Sequence, residues 1–174
     1  FKASKVTNFS FVDAIDSNSD DVTFAYENRQ VLQFPLCFRC NKLTCGDPDC
    51  NNTLVPPQVA TFLSYLKLWR QFVDSGHQTV LVVEDDIKFV SEIEQRCERL
   101  GSTQWQEQSR LFQQQPALLQ LGWAYCDEHD LMIDTTVTGF MGKMSNPAFA
   151  INKGMATLLL SNFNQIDTTV DIYI

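Results

Sequence analysis

The chain has 174 residues and a formal net charge of −8 at pH 7, and 44% of its residues are hydrophobic, including 13 Phe. This length predicts one domain with its own core, and the negative charge argues against nucleic acid as a partner, since phosphate backbones bind clustered Lys and Arg. No stretch approaches the roughly 18 consecutive apolar residues that cross a bilayer, so we expect no transmembrane segment.

The first third of the chain alternates short apolar segments with polar loops. Residues 9–15 (FSFVDAI) predict a strand, residues 16–21 (DSNSDD) a loop, and residues 31–36 a second short strand. Residues 37–52 are dense in Cys, Asn, Asp and Gly, a composition typical of a compact loop. We therefore expect two short strands followed by a Cys-rich loop.

A helix and a longer strand come next. Pro57 suits the first turn of a helix, whose apolar face continues to a plausible stop at Gly76. The apolar residues at helical spacing are Val59, Phe62, Leu66, Trp69 and Val73. Residues 79–89 (TVLVVEDDIKF) form an apolar, β-branched run that ends in three acids, and such a run is typical of a strand buried on both faces.

The remaining elements also alternate between helix and strand. A capping box at the start of residues 91–100 predicts a helix, and the Gln-rich residues 104–115 predict a short helix or a surface segment. Further strands are predicted at residues 117–121 and 147–151, a helix at 154–163, and a last element from 170 to 174. This alternation predicts one α/β domain with a mostly parallel sheet flanked by helices.

The three acids after the apolar run are Glu84, Asp85 and Asp86. They cannot lie unpaired in the core, so we expect them at the carboxyl edge of the sheet, where open α/β sheets bind ligands. Glu84 and Asp86, two apart on an extended chain, face the same way and predict a Mg²⁺ or Mn²⁺ site that holds phosphate oxygens. Asp85 would face a substrate hydroxyl or a helix N-terminus. The alternative is a solvated acidic turn paired with Lys88.

Four cysteines follow the spacing C-x2-C-x4-C-x4-C: Cys37, Cys40, Cys45 and Cys50. Four thiolates so close in sequence suit one structural, tetrahedral Zn²⁺, which would hold a loop that has no core of its own. Two local disulfides and unrelated free thiols are the alternatives. Thiolate–metal binding is the usual use of such spacing inside cells, and we expect a cytoplasmic protein.

Several segments resemble glycosyltransferase family 25, of the lipooligosaccharide β-galactosyltransferase type. LVVEDDIKF is similar to the LxLEDD signature of that family, and four other segments agree with it in order and spacing. They are NFSFVDAID, VATFLSYLKLW, NPAFAINKGMATLLL and TTVDIYI. The resemblance covers most of residues 9–174.

The resemblance implies a GT-A-type, Rossmann-like fold. It also implies transfer of a hexose such as galactose from a nucleotide-sugar, expected to be a UDP-sugar, to a glycan acceptor such as lipopolysaccharide. Glu84 and Asp86 would be the DxD-like pair with Asp85 between them, and a divalent metal would stabilise the charge on the departing diphosphate. Asp171 matches the late Asp of the family pattern and, with Asp86, is a candidate catalytic residue; it could take the proton of the acceptor hydroxyl.

The chain also departs from the family pattern. It has Ser64-Tyr65 where the family has Ser-His, and the first strand of the family, with its Arg, is missing before Phe1. The chain stops soon after Asp171, so we expect a partial domain that is truncated at both ends. A non-catalytic, zinc-stapled relative that binds carbohydrate or protein is therefore the alternative function, and an unrelated metal-dependent phosphotransfer or hydrolytic domain is a third.

Overall fold

The computed structural model divides the chain into two compact units, one of Phe1–Leu68 with Asn164–Val170 and the other of Trp69–Phe163 with Asp171–Ile174. The structure describes residues 9–32, 34–37, 40–46, 53–85, 87, 109–122 and 147–174. Within these residues, no helix combines the length and the apolar character that a membrane span requires.

Helix α1 (Asp20–Glu27) lies in the first unit and buries Val22 and Ala25. It begins inside the segment that was predicted to be a polar loop, residues 16–21, so that prediction is wrong for its last two residues. Ser19 occupies the N-cap position, and Asp20 and Asp21 lie in the first turn. Carboxylates there interact favourably with the positive end of the helix dipole, so the same acids that suggested a loop stabilise a helix start.

The strand predicted at residues 9–15 does not form: the segment pairs with no strand among the described residues. Backbone groups of this segment form hydrogen bonds with side chains of α2 (Pro56–Asp74) instead. The Ile15 amide donates to Ser64 Oγ at 2.8 Å, and Lys67 Nζ donates to the Asp13 carbonyl at 2.9 Å. Hydrogen bonds to helix side chains thus replace the ladder that the alternating apolar residues predicted.

The second predicted strand, residues 31–36, is reduced to one isolated bridge. Val31 pairs in parallel with Ile166, through hydrogen bonds of 2.8 Å from the Leu32 amide to the Ile166 carbonyl and from the Ile166 amide to the Gln30 carbonyl. Both Val31 and Ile166 are buried. The bridge therefore fixes the chain at the point where the Cys-rich loop begins.

Tyr26 connects α1 to the start of α2, because its phenol donates to the Leu54 carbonyl at 2.8 Å. Burial raises the pKa of Tyr26 above its ordinary value of 10.0. The raised pKa means that the neutral donor stabilises the fold below about pH 10, and that this contribution is lost as the pH rises through the raised value.

We expect Tyr26→Phe to lower the free energy of unfolding by about 1 kcal/mol at pH 7. In urea titrations repeated at alkaline pH, the difference between this variant and the wild type is expected to shrink.

Helix α2 confirms the helix predicted after Pro56. It runs to Asp74 and buries most of the predicted face, with Val59, Phe62, Leu66 and Trp69 almost inaccessible to solvent. Val73, the last residue of that face, is half-buried. Gly76 follows the helix with φ 81°, in the left-handed region that glycine adopts at little cost. The prediction that the helix ends near Gly76 is therefore confirmed.

The described sheet of the second unit has three strands in the order β1, β3, β2. They are β1 (Thr79–Val83), β2 (Leu118–Gly122) and β3 (Ala148–Asn152). Both ladders are antiparallel, so the predicted mostly parallel sheet is not found among the described strands. The alternation of helix and strand along the chain gave the order of the elements correctly, but it could not show that β3 enters between β1 and β2.

Strand β1 is not buried on both faces, contrary to the prediction. Val80 and Val82 pair with Ile151 and Phe149, which are both fully buried, whereas Leu81 on the opposite face is 58% exposed. The strand ends at Val83, directly before the first acid, as predicted. Its uniform apolar composition therefore conceals an alternation in burial.

The other elements agree with the sequence predictions within about one residue. Strands β2 and β3, α3 (Lys153–Asn162) and α4 (Val170–Tyr173) all form, and residues 109–114 are helical within the predicted Gln-rich segment. The helix predicted at 91–100 lies outside the described residues. The chain is thus a mixed α/β protein with a small antiparallel sheet.

Candidate functional site

Glu84 directly follows β1, and its backbone is fixed to the sheet. The Glu84 amide donates to the Pro147 carbonyl at 2.9 Å, which extends the β1–β3 pairing one residue beyond the Val83–Ala148 pair. The Glu84 side chain is half-buried, and Asp85 is exposed in the following turn. Glu84 and Asp85 therefore lie just beyond the end of β1, where the acids were predicted. Asp86 lies outside the described residues.

Strands β1 and β2 end side by side around the first residue of β3. Val83 and Gly122 both pair with Ala148, and because both strands are antiparallel to β3 they run in the same direction. An irregularity between Gln120 and Gly122 increases the local twist of β2 at this end. Glu84 and Asp85 thus lie at the carboxyl edge of two co-directional strands, as predicted for the acids, although the two strands are not hydrogen-bonded neighbours.

Carboxylate oxygens are the donors that Mg²⁺ and Mn²⁺ bind, so the chemistry of Glu84 and Asp86 fits such an ion. Within the described part of the chain, Glu84 and Asp85 do not belong to any group of three potential metal ligands. The metal-binding roles of Glu84 and Asp86, and the substrate role of Asp85, stay predictions.

Asp171 lies in the first turn of α4, in the same compact unit as β1, and is exposed. Tyr173 fastens this short helix: its phenol donates to the Leu159 carbonyl at 2.6 Å, and its ring stacks on Trp69 at a centroid distance of 6.1 Å. The structure thus explains how Asp171 is held, while its role as a base stays a prediction.

Ser64 and Tyr65, which replace the Ser-His of the family pattern, have structural contacts. Ser64 Oγ accepts from the Ile15 amide and donates to the Ala60 carbonyl at 2.8 Å. Tyr65 is buried. Both residues therefore serve the packing of α2, which favours a structural role at this position.

Three of the four clustered cysteines are described, and the structure brings them together. The sulfur atoms of Cys37, Cys40 and Cys45 all lie within 4.8 Å of one another, in the described part of the chain where no other such group of potential metal ligands occurs. No disulfide joins any two of these three. They could hold a structural metal ion; Cys50, the fourth predicted ligand, lies outside the described residues.

Asn152, the last residue of β3, makes four side-chain hydrogen bonds and was not singled out from the sequence. It accepts from the Ala117 amide at 3.1 Å and from the Met155 amide at 2.9 Å. It donates to the carbonyls of Phe112 and Gln115. The available signal was an Asn two residues before the predicted helix at 154–163, since Asn is a preferred N-cap residue.

Comparison with known proteins places the whole chain in one family. The sequence model of glycosyltransferase family 25 (LPS biosynthesis protein) matches residues 2–174. No solved structure matches the chain.

Individual relatives match a shorter stretch. The human protein named inactive glycosyltransferase 25 family member 3 is 43% identical over 54 residues, which is 31% of this chain and 9% of that protein. The zebrafish (Danio rerio) procollagen galactosyltransferase 1 is 35% identical over 55 residues, 32% of this chain and 9% of that protein. The chain thus aligns with a small part of each of these relatives, while the family match extends over nearly all of it: the chain belongs to glycosyltransferase family 25.

Proposed function

We propose that the chain is a glycosyltransferase domain, or part of one, that transfers a hexose from a nucleotide-sugar to a glycan acceptor. The observation that carries this proposal is the placement of Glu84 at the edge where β1 and β2 both end, in a chain of family 25. Carboxyl edges of strands are the usual ligand sites of open sheets. A GT-A-type, Rossmann-like arrangement is proposed with it.

In this proposal the acids divide the work at the donor site. Glu84 and Asp86 hold Mn²⁺ or Mg²⁺, which when bound offsets the negative charge on the diphosphate leaving group. Asp85 hydrogen-bonds a substrate hydroxyl, and Asp171 takes the proton of the attacking acceptor hydroxyl. The backbone bond from the Glu84 amide to the Pro147 carbonyl supports this, because a rigid strand end positions a ligand better than a free loop does.

The donor-site proposal is tested by titration calorimetry of the chain with UDP-galactose and UDP-glucose, with and without Mn²⁺. We expect binding that requires Mn²⁺ and that weakens by about tenfold or more in Glu84→Gln and in Asp86→Asn, equivalent to about 1.4 kcal/mol or more. Asp74→Asn is the matched control, because it removes the same charge from an exposed residue at the end of α2.

Two results would contradict the donor site. Nucleotide binding that is independent of Mn²⁺ would remove the metal from the proposal. If Glu84→Gln bound the UDP-sugars as tightly as the Asp74→Asn control does, Glu84 would have no role in donor binding.

The proposed donor sugar is galactose. The name of the zebrafish relative, procollagen galactosyltransferase 1, supports galactose and suggests procollagen as an acceptor, whereas the description of the family, LPS biosynthesis protein, supports lipopolysaccharide. The sequence prediction of a lipopolysaccharide acceptor is therefore kept, with a collagen acceptor beside it. Incorporation of labelled galactose into each acceptor distinguishes the two.

A second candidate function is binding without catalysis. The human relative is named an inactive member of the family, and Tyr65 replaces the His of the family pattern. A non-catalytic relative would bind carbohydrate or protein but would show no metal-dependent nucleotide binding in the same calorimetric titrations. The cytoplasmic location predicted from the sequence stays a prediction under either function.

A further inference from the structure

We propose that Cys37, Cys40 and Cys45 bind Zn²⁺ as thiolates, and that this ion organises the loop between the Val31 bridge and α2. Three sulfur atoms bound to one tetrahedral Zn²⁺ at about 2.3 Å would be about 3.8 Å apart. The observed sulfur separations, all within 4.8 Å, require only small side-chain shifts to reach that geometry. Thiolates are soft ligands, which select zinc over the Mg²⁺ or Mn²⁺ proposed at Glu84.

The backbone around Cys37 is arranged so that Cys40 comes back toward it. The Cys37 amide donates to the Lys42 carbonyl at 3.0 Å, and the Cys37 carbonyl accepts from the Asn41 amide at 2.8 Å. Asn41 has φ 53°, a left-handed conformation that Asn tolerates better than most residues do. These two bonds bring Asn41 and Lys42 back to Cys37, and the sulfur atoms of Cys37 and Cys40 lie within 4.8 Å of each other.

Among the described residues of this loop, the large apolar side chains contribute little burial. Cys37 is only 2% exposed, whereas Phe34 is 64% and Leu43 is 62% exposed. These exposed apolar side chains do not supply the usual source of folding free energy, whereas the Cys37 thiol is buried. Binding of a metal ion to preplaced thiolates supplies such free energy directly.

The loop is anchored at both ends, so an ion between the anchors affects its surroundings. At one end Val31 pairs with Ile166. At the other, Leu54 is buried and its carbonyl accepts from the Tyr26 phenol, next to the start of α2. We therefore infer that zinc loss loosens residues 34–37, residues 40–46 and the first turn of α2, and leaves the pairing of β1 with β3 intact.

Metal analysis of the chain, purified under reducing conditions, tests this inference. We expect about one Zn²⁺ per chain, replaceable by Co²⁺ with the thiolate-to-cobalt charge-transfer absorption of a sulfur-rich site. Cys40→Ser is the decisive variant because Cys40 is exposed, so its replacement leaves no cavity. We expect it to lower zinc affinity at least about tenfold, whereas Cys97→Ser, outside the four-cysteine motif, keeps wild-type affinity.

Hydrogen exchange then reports where the ion acts. Removal of zinc by a chelator is expected to speed amide exchange in residues 37–46 and at the start of α2, with unchanged protection at Val82 and Phe149. Absence of zinc from protein with reactive thiols, a disulfide within the cluster, or unchanged zinc affinity in Cys40→Ser would each overturn the inference. Zinc content is independent of nucleotide binding, so this inference and the donor-site proposal fail separately.

Discussion

Replacement of Asn152 by Ala is expected to lower the free energy of unfolding by about 2–4 kcal/mol. The Asn152 side chain, 8% exposed, caps α3 through the Met155 amide and also binds the Ala117 amide and the carbonyls of Phe112 and Gln115. An N-cap bond alone accounts for about 1 kcal/mol. The remainder comes from the partly buried amide and carbonyl groups that lose their partner.

Ser19→Ala is the matched control because Ser19 is also an N-cap, of α1, but its side chain makes no capping bond. Its buried hydroxyl has no partner among the described residues, so we expect a change within about 0.5 kcal/mol. Urea titrations of both variants give the two free energies, and exchange of the Met155 amide reports the lost cap directly. Equal losses in the two variants would show that the Asn152 bonds contribute little.

The elements that sequence could predict are those fixed by local chemistry. The apolar spacing from Val59 to Trp69 specifies one helix face regardless of what packs there, and Gly76 stops the helix through its own backbone freedom. Likewise, three acids after a Val-rich run must leave the core. The position of Glu84 at the sheet edge was therefore predictable, even though the sheet around it was not.

Features that depend on distant partners were not predictable in this way. Antiparallel pairing arises because β3, near residue 150, inserts between β1 and β2, and no pattern within β1 encodes that neighbour. The segment at residues 9–15 has the alternation of a strand, but its Ile15 amide bonds Ser64, which lies in a helix far along the chain. Conversely, spacing predicted the proximity of Cys37, Cys40 and Cys45, because these residues are close in sequence and backbone hydrogen bonds bring Asn41 and Lys42 back to Cys37.

For the candidate donor site, too, the sequence predicts the local arrangement of the acids but not the residues that surround them. Spacing along an extended chain predicts that Glu84 and Asp86 face one side. The hydrogen bond from the Glu84 amide to the Pro147 carbonyl extends the ladder to Glu84, but Asp85 already lies in a turn. What completes a pocket is set by residues from other strands and loops. The identity of the sugar therefore depends on long-range packing, and a substrate assay is more informative than the motif.

The largest expected loss of stability is for Phe149→Ala, at about 3–5 kcal/mol. Phe149 lies in the central described strand, pairs with Val82 on one side and Gln120 on the other, and is 0% exposed. Its removal leaves a cavity against the central described strand, and the ladders on both sides of that strand prevent the backbone from moving to fill it. A urea titration monitored by circular dichroism measures the loss of unfolding free energy.

Leu81→Ala in the neighbouring strand distinguishes the observed β1, exposed on one face, from the predicted strand buried on both faces. If β1 were buried on both faces, this change would cost about 2–5 kcal/mol, as core Leu replacements do. Because Leu81 is 58% exposed, we expect less than about 1 kcal/mol, with the midpoint of unfolding close to that of the wild type. A loss at Leu81 comparable to that at Phe149 would mean that the open face of β1 is covered in solution, and that the Val-rich run was correctly interpreted as a doubly buried strand.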